Sequence, residues 1–298
     1  MSSRRYRVRH ETCYTYGGDV AHSHHLLHLS PRLRENQHCL GARIVLDPTP
    51  SFRRDDQDAF GNPVTRLEYD RPHHRLSVCA EIDVVVSAAE ADPQESSDAW
   101  ESVVERLRYS GKPMAAADVD AVRFRMQSGY VVLKQAFADY ADDCFTPGTA
   151  MAVAAEALMH KIYREFRYAP GATSVSTAMA QVFESRRGVC QDFAHVMIAV
   201  LRSRGLAARY VSGYLRTIAS GATPALVGAD ASHAWVSVYC PPLGWIDLDP
   251  TNDVRVATDH ITLAWGRDFG DVSPLRGVIV GGGGHDFSVG VSVQPLES

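Results

Sequence analysis

Residues 187–214 read RGVCQDFAHVMIAVLRSRGLAARYVSGY. Gly188 leads into Cys190, an amphipathic run covers 191–204, and Gly205 stops that run before an extended segment. Phe193, Ala194, Met197, Val200 and Leu201 recur at the 3.6-residue spacing of a helix with one buried face. Arg202 and Arg204 fall in its last turn, where positive charge suits the dipole, and Gly205 is placed to cap it. The segment 206–215 then reads as a strand. The stretch is therefore a helix packed on a strand, with a cysteine in the first helical turn. Unpaired N–H groups and the helix dipole favour negative charge at that end, which makes Cys190 a candidate nucleophile.

A nucleophilic cysteine needs a base and a group that orients the base. His195 is the nearest histidine, but five residues along a helix is about 500°, or about 140° round the axis. Its side chain points away from Cys190, which assigns it a packing or hydrogen-bonding role. His233 is the better base. In ASHAWVSVYC (231–240), Ala234, Val236 and Val238 alternate with His233, Trp235, Ser237 and Tyr239. That is strand periodicity, and it holds one imidazole on a rigid scaffold. The turn PPLG (241–244) follows, and 245–248 returns as a second strand that delivers Asp247 and Asp249. Either carboxylate could reach the ring, since period two puts both on one face.

The blocks GVCQDFAH, RSRGLAARYVSGYL, SHAWVSVY and GWIDLDPTN together resemble the transglutaminase-like core of many bacterial proteins, a member of the papain-like cysteine-nucleophile superfamily. The N-terminal region resembles the β domain that precedes such cores, and GRDFGDVSPLRGVIVGGGGH is similar to their C-terminal segment. The resemblance thus runs through nearly the whole chain. It implies an α+β fold: an N-terminal antiparallel β domain, then a papain/transglutaminase-like core in which the cysteine-bearing helix packs on an antiparallel sheet. Carried over position by position, it implies Cys190 as nucleophile, His233 as base and Asp249, rather than Asp247, as third triad member. Trp235 and Trp245 fit aromatic positions near the histidine and are expected to pack in the core. The implied chemistry is acyl transfer from an amide through a thioester. Water would resolve the thioester in a peptidase or amidase, the preferred reading, and an amine in a true transglutaminase. A binding module that keeps the fold without turnover is the third reading. The Cys190 N–H would supply one oxyanion donor. No acidic cluster resembles a calcium loop, so neither metal nor cofactor is expected.

Outside the core, 4–16, 26–33, 40–46, 64–69 and 76–86 read as strands punctuated by Asp47-Pro48, Gly61-Asn62-Pro63 and Arg71-Pro72. Residues 1–90 are accordingly expected to form the β domain and 91–150 a helical linker region. The core with its C-terminal extension would take 151–298. Within the linker region 88–97 is polar and acidic, and 100–107 and 131–140 have helical character. In 151–166, Met151, Ala154, Ala155, Leu158, Ile162 and Phe166 form one apolar stripe, and 176–185 reads as a short helix. His22, His24, His25 and His28 are read as strand or loop histidines rather than a metal site, because no acidic or thiol partner stands at ligand spacing; the same holds for His73 and His74.

A net charge of −5 over 298 residues leaves no basic footprint for nucleic acid. The N-terminus has no apolar stretch of about 7–15 residues, and no run approaches the roughly 18 apolar residues of a membrane span, so a cytoplasmic location is expected. Six cysteines lie scattered with no CxxC pair, as small buried hydrophobes do in a reducing compartment. The expected partner is a protein or peptide substrate; nothing in the pattern speaks to oligomeric state. RTIASGATPALVGAD (216–230) precedes the histidine strand and is expected to border the cleft.

Overall fold

The computed structural model describes residues 3–88, 97–174, 177–216 and 232–296. Most of the acidic stretch 88–97 and nearly all of the cleft loop 216–230 lie outside them.

The N-terminal region contributes Ser3–Leu27 (β1), Gln37–Asp47 (β2), Phe52–Gln57 (β3), Pro63–Tyr69 (β4) and His73–Ser87 (β5). These form an antiparallel sheet of order β2-β5-β1-β4-β3. The middle of the chain is helical: Trp100–Arg106 (α1), Ala116–Val122 (α2), Gln135–Asp139 (α3) and Met151–Glu165 (α4). The two-residue strands Arg167–Tyr168 (β6) and Arg187–Gly188 (β7) pair in parallel on either side of Met179–Ser185 (α5). Cys190–Ser203 (α6) follows, then Ala208–Leu215 (β8), His233–Tyr239 (β9), Trp245–Asp249 (β10), Val254–Arg255 (β11) and His260–Gly266 (β12). The last five make a second antiparallel sheet of order β11-β10-β9-β8-β12. The chain closes with Phe269–Val272 (α7), Leu275–Gly281 (β13) and His285–Leu296 (β14).

Two expectations change. The segment 4–16 and the first two residues of 26–33 belong to one strand of 25 residues, β1, while 28–33 form no strand. The Gly17-Gly18 pair does not break it, because their N–H groups donate to Gly284 and Gly282 carbonyls at 2.8 and 3.0 Å. A Cβ on Gly17 would sit 3.2 Å from that Gly284 oxygen. The second change concerns the C-terminal segment assigned to the core extension. Its strands β13 and β14 both pair with β1, from Val20↔Gly281 to Leu27↔Leu275 and from Arg5↔Leu296 to Tyr16↔His285. The hairpin between them reverses through Gly281, Gly282 and Gly283, all at positive φ, a conformation glycine adopts without penalty. The end of the chain thus completes the N-terminal sheet.

The helix α6 packs against β8 and β9 on one side and against α3, α4 and α5 on the other. Its expected single buried face becomes burial nearly all round, Arg202 included. The Arg202 guanidinium is satisfied by carbonyls: Nη2 donates to Ala208 and Arg267 at 2.8 and 2.7 Å, and Nη1 to Met126 at 3.0 Å. Gly205 at φ 79° ends the helix as expected. The two sheets meet at β12, an edge strand with a register break between Thr262 and Ala264. Unpaired edge groups there need partners. Gln37 supplies them to Thr262, accepting from its N–H and donating to its carbonyl at 2.7 and 2.8 Å. Asn62 does the same for Trp265 at 2.9 and 2.8 Å. Two amide side chains of the N-terminal domain therefore stand in for a missing strand.

Candidate active site

Cys190 is the first residue of α6, preceded by Val189 in extended conformation. The helix start is held by Asp192, whose Oδ2 accepts from the Val189 N–H at 2.8 Å and from Thr173 Oγ1 at 2.6 Å. Gly188 makes room for that carboxylate, since a Cβ there would lie 2.6 Å from Oδ2. Burial raises the Asp192 pKa, although both hydrogen bonds oppose the shift.

His233 opens β9 and Asp249 closes β10, and the hairpin register (Trp245↔Tyr239 to Leu248↔Val236) brings the two ends together. His233 Nε2 donates to Asp249 Oδ2 at 2.8 Å. A carboxylate can only accept here, so a proton sits on Nε2, while Nδ1 is buried with no hydrogen-bond partner among the described residues. Burial disfavours the charged ring, but Asp249 and Cys190 outweigh it and raise the His233 pKa. Asp249 is likewise opposed by burial and yet driven far below the usual carboxylate range by His233 and His260.

Asp249 gathers more donors than the triad requires. Oδ1 accepts from the Thr251 and Asn252 backbone N–H groups at 2.9 and 3.3 Å, and Oδ2 from Asn252 Nδ2 at 2.7 Å and His260 Nε2 at 3.2 Å. Exposure falls from 9% at Cys190 to 1% at His233 and 0% at Asp249, so Cys190 is the most exposed of the three.

Chain-wide comparisons identify the family. Residues 6–85 match the bacterial transglutaminase-like N-terminal region, and residues 138–250 match the transglutaminase-like superfamily core. An uncharacterized protein of Mycobacterium tuberculosis is 36% identical over 98% of this chain and 93% of its own length. One from Mycobacterium leprae is 32% identical over 98% of this chain and 99% of its own. The chain belongs to the bacterial transglutaminase-like family. A solved structure of a presumed cysteine protease from Cytophaga hutchinsonii superposes over 100% of this chain and 92% of its own, with TM-score 0.77 and 20% identity, which shows the shared papain-like fold. A protein-glutamine gamma-glutamyltransferase of Pseudomonas aeruginosa is 36% identical over 28% of this chain and 13% of its own length.

Within this transglutaminase-like core the other sequence candidates separate. Asp247, on the same face as Asp249, turns to Arg34, whose Nη1 donates to its Oδ2 at 2.6 Å. His195 is away from the cysteine: its Nε2 accepts from the Phe269 N–H at 3.2 Å and its ring stacks on Tyr130. Burial pushes its pKa down to about 4. Trp235 is fully buried and meets His260 edge-on, 5.3 Å between ring centroids. Trp245 packs edge-on against Phe124.

The N-terminal histidines disperse. His22 and His24 face solvent, His25 lies against Tyr69, and His28 binds Asp58 and the Ser273 carbonyl. Among the described residues, His233, Asp249 and His260 are grouped so that one ligand-capable atom of each lies within 4.8 Å of the others. Both imidazole Nε2 atoms there are engaged with Asp249 Oδ2, so a cation would have to displace those two bonds.

His260 and the Thr251-Asn252 turn went unnoticed in the sequence. The turn had a signal: aspartate followed by Pro-Thr-Asn fits an Asx turn, in which the carboxylate accepts from the N–H two residues on. His260 had none, since it comes from another strand.

Proposed function

We propose that this chain is a cysteine-dependent acyl-transfer enzyme that hydrolyses an amide bond in a protein or peptide. The supporting observation is the buried His233–Asp249 pair, electrostatically coupled to Cys190 at a helix start. With the His233 pKa raised by Asp249 and Cys190, the ring already holds the proton as an imidazolium, and the Cys190 thiolate attacks the amide carbonyl. The tetrahedral oxyanion accepts from the Cys190 backbone N–H, one of the helix donors without an intrahelical partner. Collapse breaks the C–N bond, and the imidazolium gives its proton to the leaving amine. Water, deprotonated by the neutral ring, then attacks the thioester, releasing the acid and restoring the thiolate. Asp249 fixes the ring tautomer and stabilises the imidazolium throughout. No metal or cofactor enters this scheme.

The alternative acceptor is an amine, in line with the name protein-glutamine gamma-glutamyltransferase of the Pseudomonas aeruginosa relative, whose match spans 28% of this chain. Among the described residues no helix is long and apolar enough to cross a membrane. The six cysteines are all free, in keeping with a reducing, cytoplasmic setting.

The test is a screen of peptide and glutamine-amide substrates with wild type and Cys190→Ala, alongside peptide-resolved iodoacetamide labelling at pH 6. Turnover that vanishes in Cys190→Ala, with Cys190 labelled faster than the other cysteines, supports the proposal. Full amidase activity in Cys190→Ala would end it, and Cys190 reacting no faster than an ordinary free thiol would favour a binding module.

A further inference from the structure

Across β8, β9 and β10 the register aligns Arg209 with Ser237 and Ser237 with Asp247. None of the three takes part in the proposed acyl transfer. All are buried, Arg209 to 4% exposure. A guanidinium in such a place is ordinarily forked onto a carboxylate. Here Asp247 Oδ2 is taken by Arg34, and Arg209 Nε is buried with no hydrogen-bond partner among the described residues.

Aromatic rings hold Arg209 instead. Its guanidinium carbon lies 4.0 Å from the Trp245 ring centroid and 3.7 Å from that of Trp265. Arg32 sits 3.6 Å from the same Trp265 centroid; two guanidiniums so close to one ring have to occupy opposite faces. The flat faces of Arg209 are thus covered and its N–H donors are confined to one plane. Arg34 and Arg209 both draw on Asp247 and repel one another, with Arg32 adding a third positive charge nearby. Asp120 also draws on Arg209, Asp58 on Arg32, and Glu35 lines the same cavity as Arg34 and Arg209. Arg34, Arg209, Trp245 and Trp265, with Asn36 and Leu243, line a cavity of about 1000 Å³, ample for a small ligand.

We propose that this cavity binds a small organic carboxylate, received by the in-plane donors of Arg209 with Arg34 beside it. A carboxylate is planar and matches a guanidinium edge in two parallel hydrogen bonds. Trp245, Trp265 and Leu243 offer apolar surface to the rest of the molecule. A phosphate brings neither the planar match nor an apolar portion. The site is separate from Cys190 and stands whether or not that cysteine turns over an amide. It is nevertheless adjacent, because Asp247 precedes Asp249 by two residues on β10, about 7 Å along a strand.

The experiment is titration of the full chain with sodium succinate, sodium hexanoate and inorganic phosphate at constant ionic strength, reading tryptophan fluorescence and thermal melting. Expected is saturable binding of a carboxylate, at least tenfold tighter than phosphate. It should survive Cys190→Ala and weaken at least tenfold in Arg209→Lys and Arg34→Gln. Should Arg209→Lys fail to fold, the half-buried Arg34 variant carries the comparison. A response that does not saturate, equal affinity for phosphate, or wild-type affinity in the folded variants would overturn the proposal.

Discussion

His260 Nε2 lies 3.2 Å from Asp249 Oδ2, the same oxygen that receives His233 Nε2 at 2.8 Å. One carboxylate thus anchors two imidazoles, and only His233 has Cys190 among its electrostatic partners. His260 is a positioning residue in this arrangement: it fixes the Asp249 carboxylate, which in turn fixes the ring. Asp249→Ala is expected to lower kcat/KM about 10³- to 10⁴-fold, the scale seen when a triad loses its orienting acid. His260→Gln, which can still donate to Asp249, should cost about tenfold or less, mostly in kcat, and His260→Ala more. Steady-state kinetics on the substrate found by screening checks the order. Equal losses in His260→Gln and Asp249→Ala would mean that His260 touches the reacting atoms.

The raised His233 pKa sets a pH signature. The imidazolium has to donate a proton to the leaving amine, so activity falls once the ring loses its proton. Its pKa stands at about 10 in the folded chain, where Asp249 and Cys190 overcome burial. The alkaline limb of kcat/KM should therefore lie well above the ordinary histidine value of about 6.5. In Asp249→Asn it should drop by one pH unit or more.

Stability follows the same sign. The folded ring holds a proton that the unfolded chain releases above about pH 6.5, so the pair's contribution is full below that point. It is lost as pH rises toward the folded value of about 10. The excess melting temperature of wild type over Asp249→Asn should accordingly be largest near pH 6 and shrink on the alkaline side. A difference that grows with pH would contradict the ion-pair account.

Gly213 pairs with His233 across β8 and β9 and with Thr262 across β8 and β12. A Cβ at this position would collide with the Ile261 carbonyl and with the Trp235 ring. Neither can withdraw easily: one belongs to the ladder, and the other is fully buried against His260. Gly213→Ala is therefore expected to destabilise the chain by about 1–3 kcal/mol, the usual range for overpacking a tight core. It should also disturb His233 through Trp235. Urea unfolding monitored by tryptophan emission measures the first effect; an unchanged midpoint would show that β8 shifts to make room.

The chemistry-bearing part of the fold was legible where local pattern and function coincide. The helix begins at Cys190 and yields to Gly205, and the hairpin delivers His233 and Asp249 as its alternation requires. Alternation could not separate Asp247 from Asp249, because what distinguishes them is remote. Arg34, which claims Asp247, lies 213 positions away. Gln37 and Asn62 carry no marking that would assign them to the backbone of β12. The first expected strand stopped at residue 16, because the carbonyls that hold Gly17 and Gly18 come from the opposite end of the chain. Arg202 fitted a solvent-facing last turn until three carbonyls from separate segments enclosed it. In each case the missing information is a long-range partner, which short-range periodicity does not encode.

The acyl acceptor separates the two enzymatic readings. Both proceed through the Cys190 thioester, so Cys190→Ala abolishes either and cannot tell them apart. The discriminating quantity is the partition of a common thioester between water and an added amine. With a glutamine-bearing protein and a fluorescent primary amine in millimolar excess, hydrolysis is expected to dominate: ammonia release should exceed label incorporation at least tenfold. Raising the amine should leave total turnover unchanged if acylation limits the rate. Incorporation that matches ammonia release mole for mole, with no free acid formed, would instead identify a transamidase whose cleft excludes water. Mass spectrometry of the glutamine-bearing protein distinguishes the two directly, as a gain of about one mass unit for deamidation against the mass of the amine less ammonia.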